Sequence, residues 1–188
     1  MDILGLFDYW LPILVSTILM FVASWIVHTV LRHHKNDYRK LGDEDEVMSA
    51  LRNFGLKPGN YVMPYAGSME AMRSEEYAAK CEKGPMAMMT IMNPGRGMGR
   101  SLGEWFVFML VTTTITACIA DSVLADGNPQ YMEVFKLVGW VMFMCHGMGQ
   151  ATRSIWFHQE WSTTFKNMFD AAIYALLTAG TFGWLWPS

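Results

Sequence analysis

Residues 9–31 read YWLPILVSTILMFVASWIVHTVL, a run of 23 residues without a single Lys, Arg, Asp or Glu. A helix needs about 20 largely apolar residues to cross the hydrocarbon core of a bilayer, which is about 30 Å thick. A cleaved signal peptide has a shorter apolar run that follows basic residues, whereas Asp2 and Asp8 precede this one. The run therefore predicts a retained membrane anchor.

Three further apolar stretches meet the same length requirement. They lie at 103–125, 132–156 and 165–188, and the middle one carries Lys136, His146 and Arg153. The composition agrees, because 52% of the residues are apolar and only 16% are charged, whereas a soluble domain has about 25% charged residues. The sequence predicts an all-α integral membrane protein with four transmembrane helices.

The basic residues predict the orientation of these helices. Of the 14 Lys and Arg residues, 11 fall within 32–102, and Lys136 alone lies on the opposite side of a four-span arrangement. Cytoplasmic loops of membrane proteins carry an excess of Lys and Arg. We therefore expect a bacterial inner-membrane protein with both termini outside, a cytoplasmic segment at 32–102, a short outer loop at 126–131 and an inner loop at 157–164.

The segment 32–102 has the pattern of a small folded unit. The acidic run 43–46 precedes apolar residues at helical spacing, which is typical of a helix N-terminus. Ser68 is expected to cap a helix over 69–82, and short extended runs are expected at 61–64 and 86–92. The sequence thus predicts a small cytoplasmic α+β insert between the first and second transmembrane helices.

Several classes of function are disfavoured by the same sequence. The net charge of −3 and the pI near 5.9 provide no basic surface for nucleic acid. No nucleophile elbow, phosphate-binding loop, dinucleotide fingerprint or kinase signature is present. The three cysteines have no paired spacing that would indicate a disulfide framework or a zinc site. We therefore expect a protein that is not an enzyme and has the lipid bilayer as its surroundings.

Small residues recur at helical spacing in the third and fourth spans. Such residues let membrane helices approach closely, within one chain or between chains. The predicted packing residues are Gly139, Gly147, Ala151, Ala171, Ala175, Ala179 and Gly183. Our first hypothesis is therefore a homo-oligomer or an accessory subunit of a larger membrane complex.

A membrane metal-binding protein, either a metalloenzyme or a metal transporter, is the second hypothesis. All five histidines lie in the cytoplasmic half of the four-span arrangement, and histidine with carboxylate is the ligand set of zinc and iron sites. Because His33 and Asp37 are four residues apart, they share a helix face. The predicted ligands are His28, His33, Asp37 and His146. No HExxH or Glu-x-x-His motif accompanies these residues. We therefore expect no cofactor, and zinc or iron is the alternative.

Methionine suggests a further cofactor alternative, copper. The chain has 17 methionines, and five of them lie close together in the sequence, at Met86, Met88, Met89, Met92 and Met98. Thioethers are suitable ligands for Cu(I). Methionine also fills irregular apolar contacts, and strand alternation would place Met89 on the opposite face from Met88.

Ionisable residues within the spans support two more hypotheses, because such groups are costly in a bilayer unless they are paired or face water. Asp121, His146 and Asp170 form the third functional hypothesis, a channel or proton pathway. Asp170 also has a structural interpretation. The connection at 157–164 is short enough for Asp170 to meet Arg153 across a helical hairpin as a buried ion pair.

Overall fold

The structure is a computed structural model that describes residues 5–124 and 127–187, and these form two compact units. The first unit contains the chain up to Arg39 and from Gly99 onward, and the second is Lys40–Met98. The predicted outer loop at 126–131 lies partly outside the described residues. The same holds for the ends of the predicted regions 1–31, 103–125 and 165–188.

The chain is mainly helical and has two short strands. In chain order the elements are α1 (Trp10–Trp25), α2 (Glu44–Asn53), β1 (Gly59–Met63), α3 (Met69–Met72), α4 (Glu75–Lys83), β2 (Ala87–Ile91), α5 (Met98–Leu124), α6 (Tyr131–His146), α7 (Ala151–Phe157) and α8 (Trp161–Trp184). A 3₁₀ turn (Gly5–Tyr9) precedes α1, and a π-helical turn (Ile26–Leu31) continues it.

The second unit is the predicted combination of helices and strands. β1 and β2 pair in antiparallel register, and Thr90 Oγ1 donates to Asn60 Oδ1 across the pair at 2.8 Å. Asp43 caps α2 by accepting from the Glu46 amide. The single helix expected at 69–82 is wrong, because the Ser74 hydroxyl accepts from the Tyr77 amide and begins a new helix, α4. Like Ser68, Ser74 accepts from a backbone N–H group, and it thereby divides the predicted helix into α3 and α4.

In the first unit, α8 packs against both α6 and α1. A Cβ atom on Gly139 of α6 would lie 3.4 Å from the Cβ of Ala179 on α8, so the two helices approach closely there. α5 packs through longer side chains, with Phe106 and Phe21 rings 5.6 Å apart and Thr116 Oγ1 3.1 Å from Met142 Sδ. The small residues of α6 and α8 therefore lie at a helix contact within one chain.

The third predicted span is not one continuous helix. α6 ends at His146, a 3₁₀ turn covers Met148–Gln150, and α7 follows. Gly147 and Gly149 bracket the break, and glycine weakens a helix because it loses more conformational freedom than other residues. α6 has 16 residues and is about 24 Å long, which is shorter than a hydrocarbon core of about 30 Å.

Two of the described helical segments are long and apolar enough to cross a bilayer. They are Phe7–Leu31 and Met98–Leu124, of 25 and 27 residues. α8 is 24 residues long and carries Lys166 and Asp170 in its first half. The helical class of the fold is confirmed, and length and composition support membrane association for two helices.

Candidate metal centre

A tight turn after α1 brings three histidines together. Arg32 ends the π-helical turn with φ +51° and ψ 22°, a left-handed conformation that is uncommon for residues other than glycine. A 3₁₀ turn, His33–Asn36, follows directly. As a result the His34 ring stacks on the His28 ring, with centroids 4.7 Å apart and planes 11° from parallel.

His34 connects this turn to α8. Its Nδ1 lies 2.5 Å from Asp37 Oδ2, and its Nε2 lies 2.7 Å from Asp170 Oδ2. His33 Nε2 lies 2.9 Å from the other oxygen, Asp170 Oδ1. Among the described residues, neither of these two buried atoms makes a hydrogen bond, so their contact is that of an ion pair. The Asp170 carboxylate therefore lies between two imidazoles.

Lys166 completes the cluster from α8, one turn before Asp170. Its Nζ donates to Asp37 Oδ1 at 2.6 Å. The side chains of Asp37 and Asp170 are both only 4% exposed, and that of His34 is 15% exposed. We refer to His28, His33, His34, Asp37, Lys166 and Asp170 as the His/Asp cluster.

Charge and burial act in opposite directions on His34 and Asp37. Burial lowers the pKa of His34, but hydrogen bonds and charges from Asp37 and Asp170 outweigh burial and raise this pKa. Burial raises the pKa of Asp37, whereas the Lys166 and His34 hydrogen bonds and charges outweigh burial and lower it. Without a metal, a protonated His34 can therefore donate to both carboxylates.

Three residues of the cluster have the arrangement of metal ligands. Ligand atoms of His28, His34 and Asp170 all lie within 4.8 Å of one another. His28 Nδ1 donates to the Ser24 carbonyl at 3.0 Å, so its Nε2 keeps a lone pair for a metal. Metal bonds of 2.0–2.2 Å place tetrahedral ligands roughly 3.3 Å apart. The 2.7 Å contact between His34 and Asp170 must therefore open slightly when a metal binds.

The predicted metal ligands are only partly brought together. His28, His33 and Asp37 belong to the cluster, but Asp37 pairs with His34. The i, i+4 helix predicted for His33 and Asp37 is wrong, because this segment is a 3₁₀ turn in which residues three apart are aligned. His34 was not among the ligands predicted from the sequence, although the His33–His34 doublet was an available signal.

His146 lies elsewhere in the first unit. Its Nε2 is 3.2 Å from Thr112 Oγ1, and its ring makes edge contacts with Phe108 and Tyr174. It is 6% exposed. His146 is therefore a buried histidine of the helix contact, outside the His/Asp cluster.

The ion pair predicted between Arg153 and Asp170 is not formed. Arg153 Nε donates to Gln159 Oε1 at 2.9 Å, within the turn that follows α7. Asp170 contacts His33 and His34 instead. The turn after α1 supplies nearer cations for this carboxylate than α7 does, so the prediction was wrong about the partner.

The residues of the predicted proton pathway lie apart in the structure. Asp121 accepts from the Tyr9 hydroxyl at 2.8 Å and lies nine positions after Thr112 on α5, about 13 Å along the helix. Among the described residues, no hydrogen bond joins Asp121, His146 and Asp170.

Of the methionines proposed for copper, Met88 on β2 is 55% exposed and Met92 is 81% exposed.

No protein-family model matches the chain, and no curated protein or solved structure matches it.

Proposed function

We propose that this protein is a membrane metal-binding protein in which His28, His34 and Asp170 hold a transition metal, Zn²⁺ or Fe²⁺. The observation that carries the proposal is the convergence of two imidazoles and one buried carboxylate, with all ligand atoms within 4.8 Å. Two histidines and one carboxylate form a ligand set typical of catalytic zinc and of non-haem iron.

The unpartnered atoms of the cluster support a bound cation. Asp170 Oδ1 and His33 Nε2 are buried and lack hydrogen bonds, although they lie 2.9 Å apart. Buried polar groups nearly always have a partner, and an unsatisfied one costs about 1–3 kcal/mol. A metal ion bound to Asp170 would give a partner to its Oδ1 atom, which makes no hydrogen bond to the described residues.

The surroundings of His34 also favour a metal. A metal-bound histidine usually donates its second ring N–H to a carboxylate, which orients the ring and makes it a better ligand. Asp37 Oδ2 is placed to accept the N–H of His34 Nδ1, and Lys166 Nζ donates to Asp37 Oδ1. Because three protein ligands leave a coordination position open, such a site can bind water or a substrate.

The apolar surface supports the four-span arrangement as part of this proposal. Trp10, Leu14, Ile18 and Val22 follow one another at four-residue spacing on α1, and each is between 40% and 57% exposed. Large exposed apolar faces mark contact with lipid or with a partner. We propose that α1, α5, α8 and the broken helix α6–α7 lie in the bilayer, with the His/Asp cluster near one interface.

Metal content is the direct test of the function. The full-length protein, purified in mild detergent without chelators after growth with zinc and iron, is expected to hold about one metal ion per chain by elemental analysis. The matched control is His146→Gln, which removes a buried histidine outside the cluster and should leave metal content unchanged. Less than about 0.1 metal per chain, with no uptake of added Zn²⁺ or anaerobic Fe²⁺, would contradict the proposal.

Membrane insertion makes a separate prediction. If α5 crosses the bilayer, a reporter inserted after Lys57 should be cytoplasmic and one inserted after Asn128 should be outside, because the basic residues favour the cytoplasm. Alkaline phosphatase and green fluorescent protein fusions in bacteria report the two sides with opposite signals. Identical signals at the two positions would show that α5 does not cross.

Self-association, the first hypothesis from the sequence, stays a prediction.

A further inference from the structure

A groove between α6 and α8 lies outside the His/Asp cluster. It has a volume of about 380 Å³, which is in the range of pockets that bind small molecules. It is lined by the small residues Gly139, Ala172 and Ala175 together with larger apolar residues such as Trp140 and Phe143. Eight of its nine described lining residues are apolar or glycine, and we refer to this apolar part of the groove as the slot.

Lys136 is the single charged residue that lines this groove. It lies five residues after the start of α6, about 7 Å along the helix. The nearest acid on the same helix, Glu133, is occupied, because its Oε2 accepts from the Gln130 amide at 2.9 Å. In the part of the chain that the structure describes, Lys136 makes no ion pair. The groove therefore presents one cation that has no ion-pair partner among the described residues, closer to its Met132 end than to its Phe143 end.

The length of the groove fits one leaflet of a bilayer. It extends along α6 from Met132 to Phe143, which is about 16 Å of helix. Half of a hydrocarbon core of about 30 Å is about 15 Å. Lys136 lies about 6 Å along α6 from the Met132 end of the groove and about 10.5 Å from the Phe143 end, and the other described residues that line the groove are uncharged.

We infer that this groove binds an anionic phospholipid, with one acyl chain in the slot and the Lys136 ammonium on the phosphate. A second copy of α6 or α8 is the competing occupant. Such a helix would bring apolar side chains over Lys136 and leave its charge unpaired in lipid, which is costly. The phospholipid brings its own anion. The inference rests on the proposed membrane insertion and is independent of the metal.

The test is lipid retention by the full-length protein. The protein is reconstituted into nanodiscs that contain equal amounts of phosphatidylglycerol and phosphatidylcholine with identical acyl chains, then extracted and analysed by native mass spectrometry. The wild type should retain one phosphatidylglycerol per chain. Lys136→Gln should lower this retention about five-fold, the effect of one lysine near an anionic surface, whereas Lys136→Arg should preserve it.

Ala172→Phe fills the slot and should abolish retention of both lipids, while Val111→Phe, on an exposed face of α5, should not. Soluble glycerol phosphate should not displace the lipid, because it lacks the acyl chain. Equal retention of the two lipids by the wild type, or unchanged retention in Lys136→Gln, would overturn the inference. A dimer of the wild type that dissociates in the Ala172→Phe variant would also overturn the inference. Metal content, measured on the same samples, should be the same in every variant, so failure here is distinguishable from failure of the metal proposal.

Discussion

Replacing Asp170 by Asn is expected to lower metal affinity by at least about 100-fold, since changing a residue that only supports a ligand already costs 10–100-fold. The amide has the same shape as the carboxylate but no charge, and it is a poor ligand for Zn²⁺ or Fe²⁺. Asp170 also contacts both His33 and His34. Isothermal titration with Zn²⁺, or competition with a chromophoric chelator, measures the loss.

Asp37→Asn provides the graded comparison. Asp37 contacts the imidazole of His34 and is not among the three ligands, so its replacement should cost less, about 10–100-fold in affinity. Asp45→Asn, on the exposed first turn of α2, changes the net charge by the same amount and should leave affinity unchanged. The expected order of affinity is wild type, then Asp37→Asn, then Asp170→Asn.

A folding defect in Asp170→Asn would also lower metal affinity, because Asp170 is part of a buried network of polar side chains. His28→Gln avoids the problem, since His28 is exposed, accepts no hydrogen bond from the described residues and contacts His34 by ring stacking. The variant should keep wild-type helix content and thermal stability but lose metal. If Asp170→Asn and His28→Gln both bind Zn²⁺ as tightly as the wild type does, the cluster is an ion-pair network that fastens α1 to α8.

Replacing Gly147 is expected to have the largest effect on stability. A Cβ atom at this position would lie 2.9 Å from the Phe143 carbonyl oxygen and 3.1 Å from the Cβ of Ala171 on α8. The first contact is with backbone, which cannot move away without disturbing the end of α6. Overpacking of this kind costs about 1–3 kcal/mol, so Gly147→Ala should lower the free energy of unfolding by that amount. Gly147→Leu should prevent α6 from docking on α8.

Gly149→Ala is the matched control. Gly149 lies two residues further along, in the 3₁₀ turn, and an added Cβ there would meet nothing within 4 Å. Its effect should stay within about 0.5 kcal/mol, as for most substitutions at open positions. Reversible unfolding in mixed micelles, followed by circular dichroism, measures both. Equal stability of Gly147→Ala and Gly149→Ala would show that α6 and α8 do not approach closely at Gly147.

Local residue patterns predicted that the chain is mainly helical and where the two short strands lie. The uncharged run at 9–31 predicts a long helix because its length and polarity are properties of adjacent residues, and the structure has the helical segment Phe7–Leu31 there. The strands at β1 and β2 were predicted for the same reason, from short runs between turn residues. Where competing local signals were missed, at Ser74 and at Gly147, the predicted helices were too long.

The partners of the ionisable residues depended on packing. His34 and Asp170 are 136 residues apart in the chain, and no periodicity relates residues so distant. Their contact requires α1 to pack on α8 and the left-handed residue Arg32 to turn the chain back at the end of α1. The sequence alone thus determined that His28, His33, His34 and Asp37 lie close together along the chain, at the end of the apolar run 9–31 and just after it. The tertiary structure decided which of them meet, because a buried charge takes the nearest partner in space and sequence spacing measures only distance along the chain.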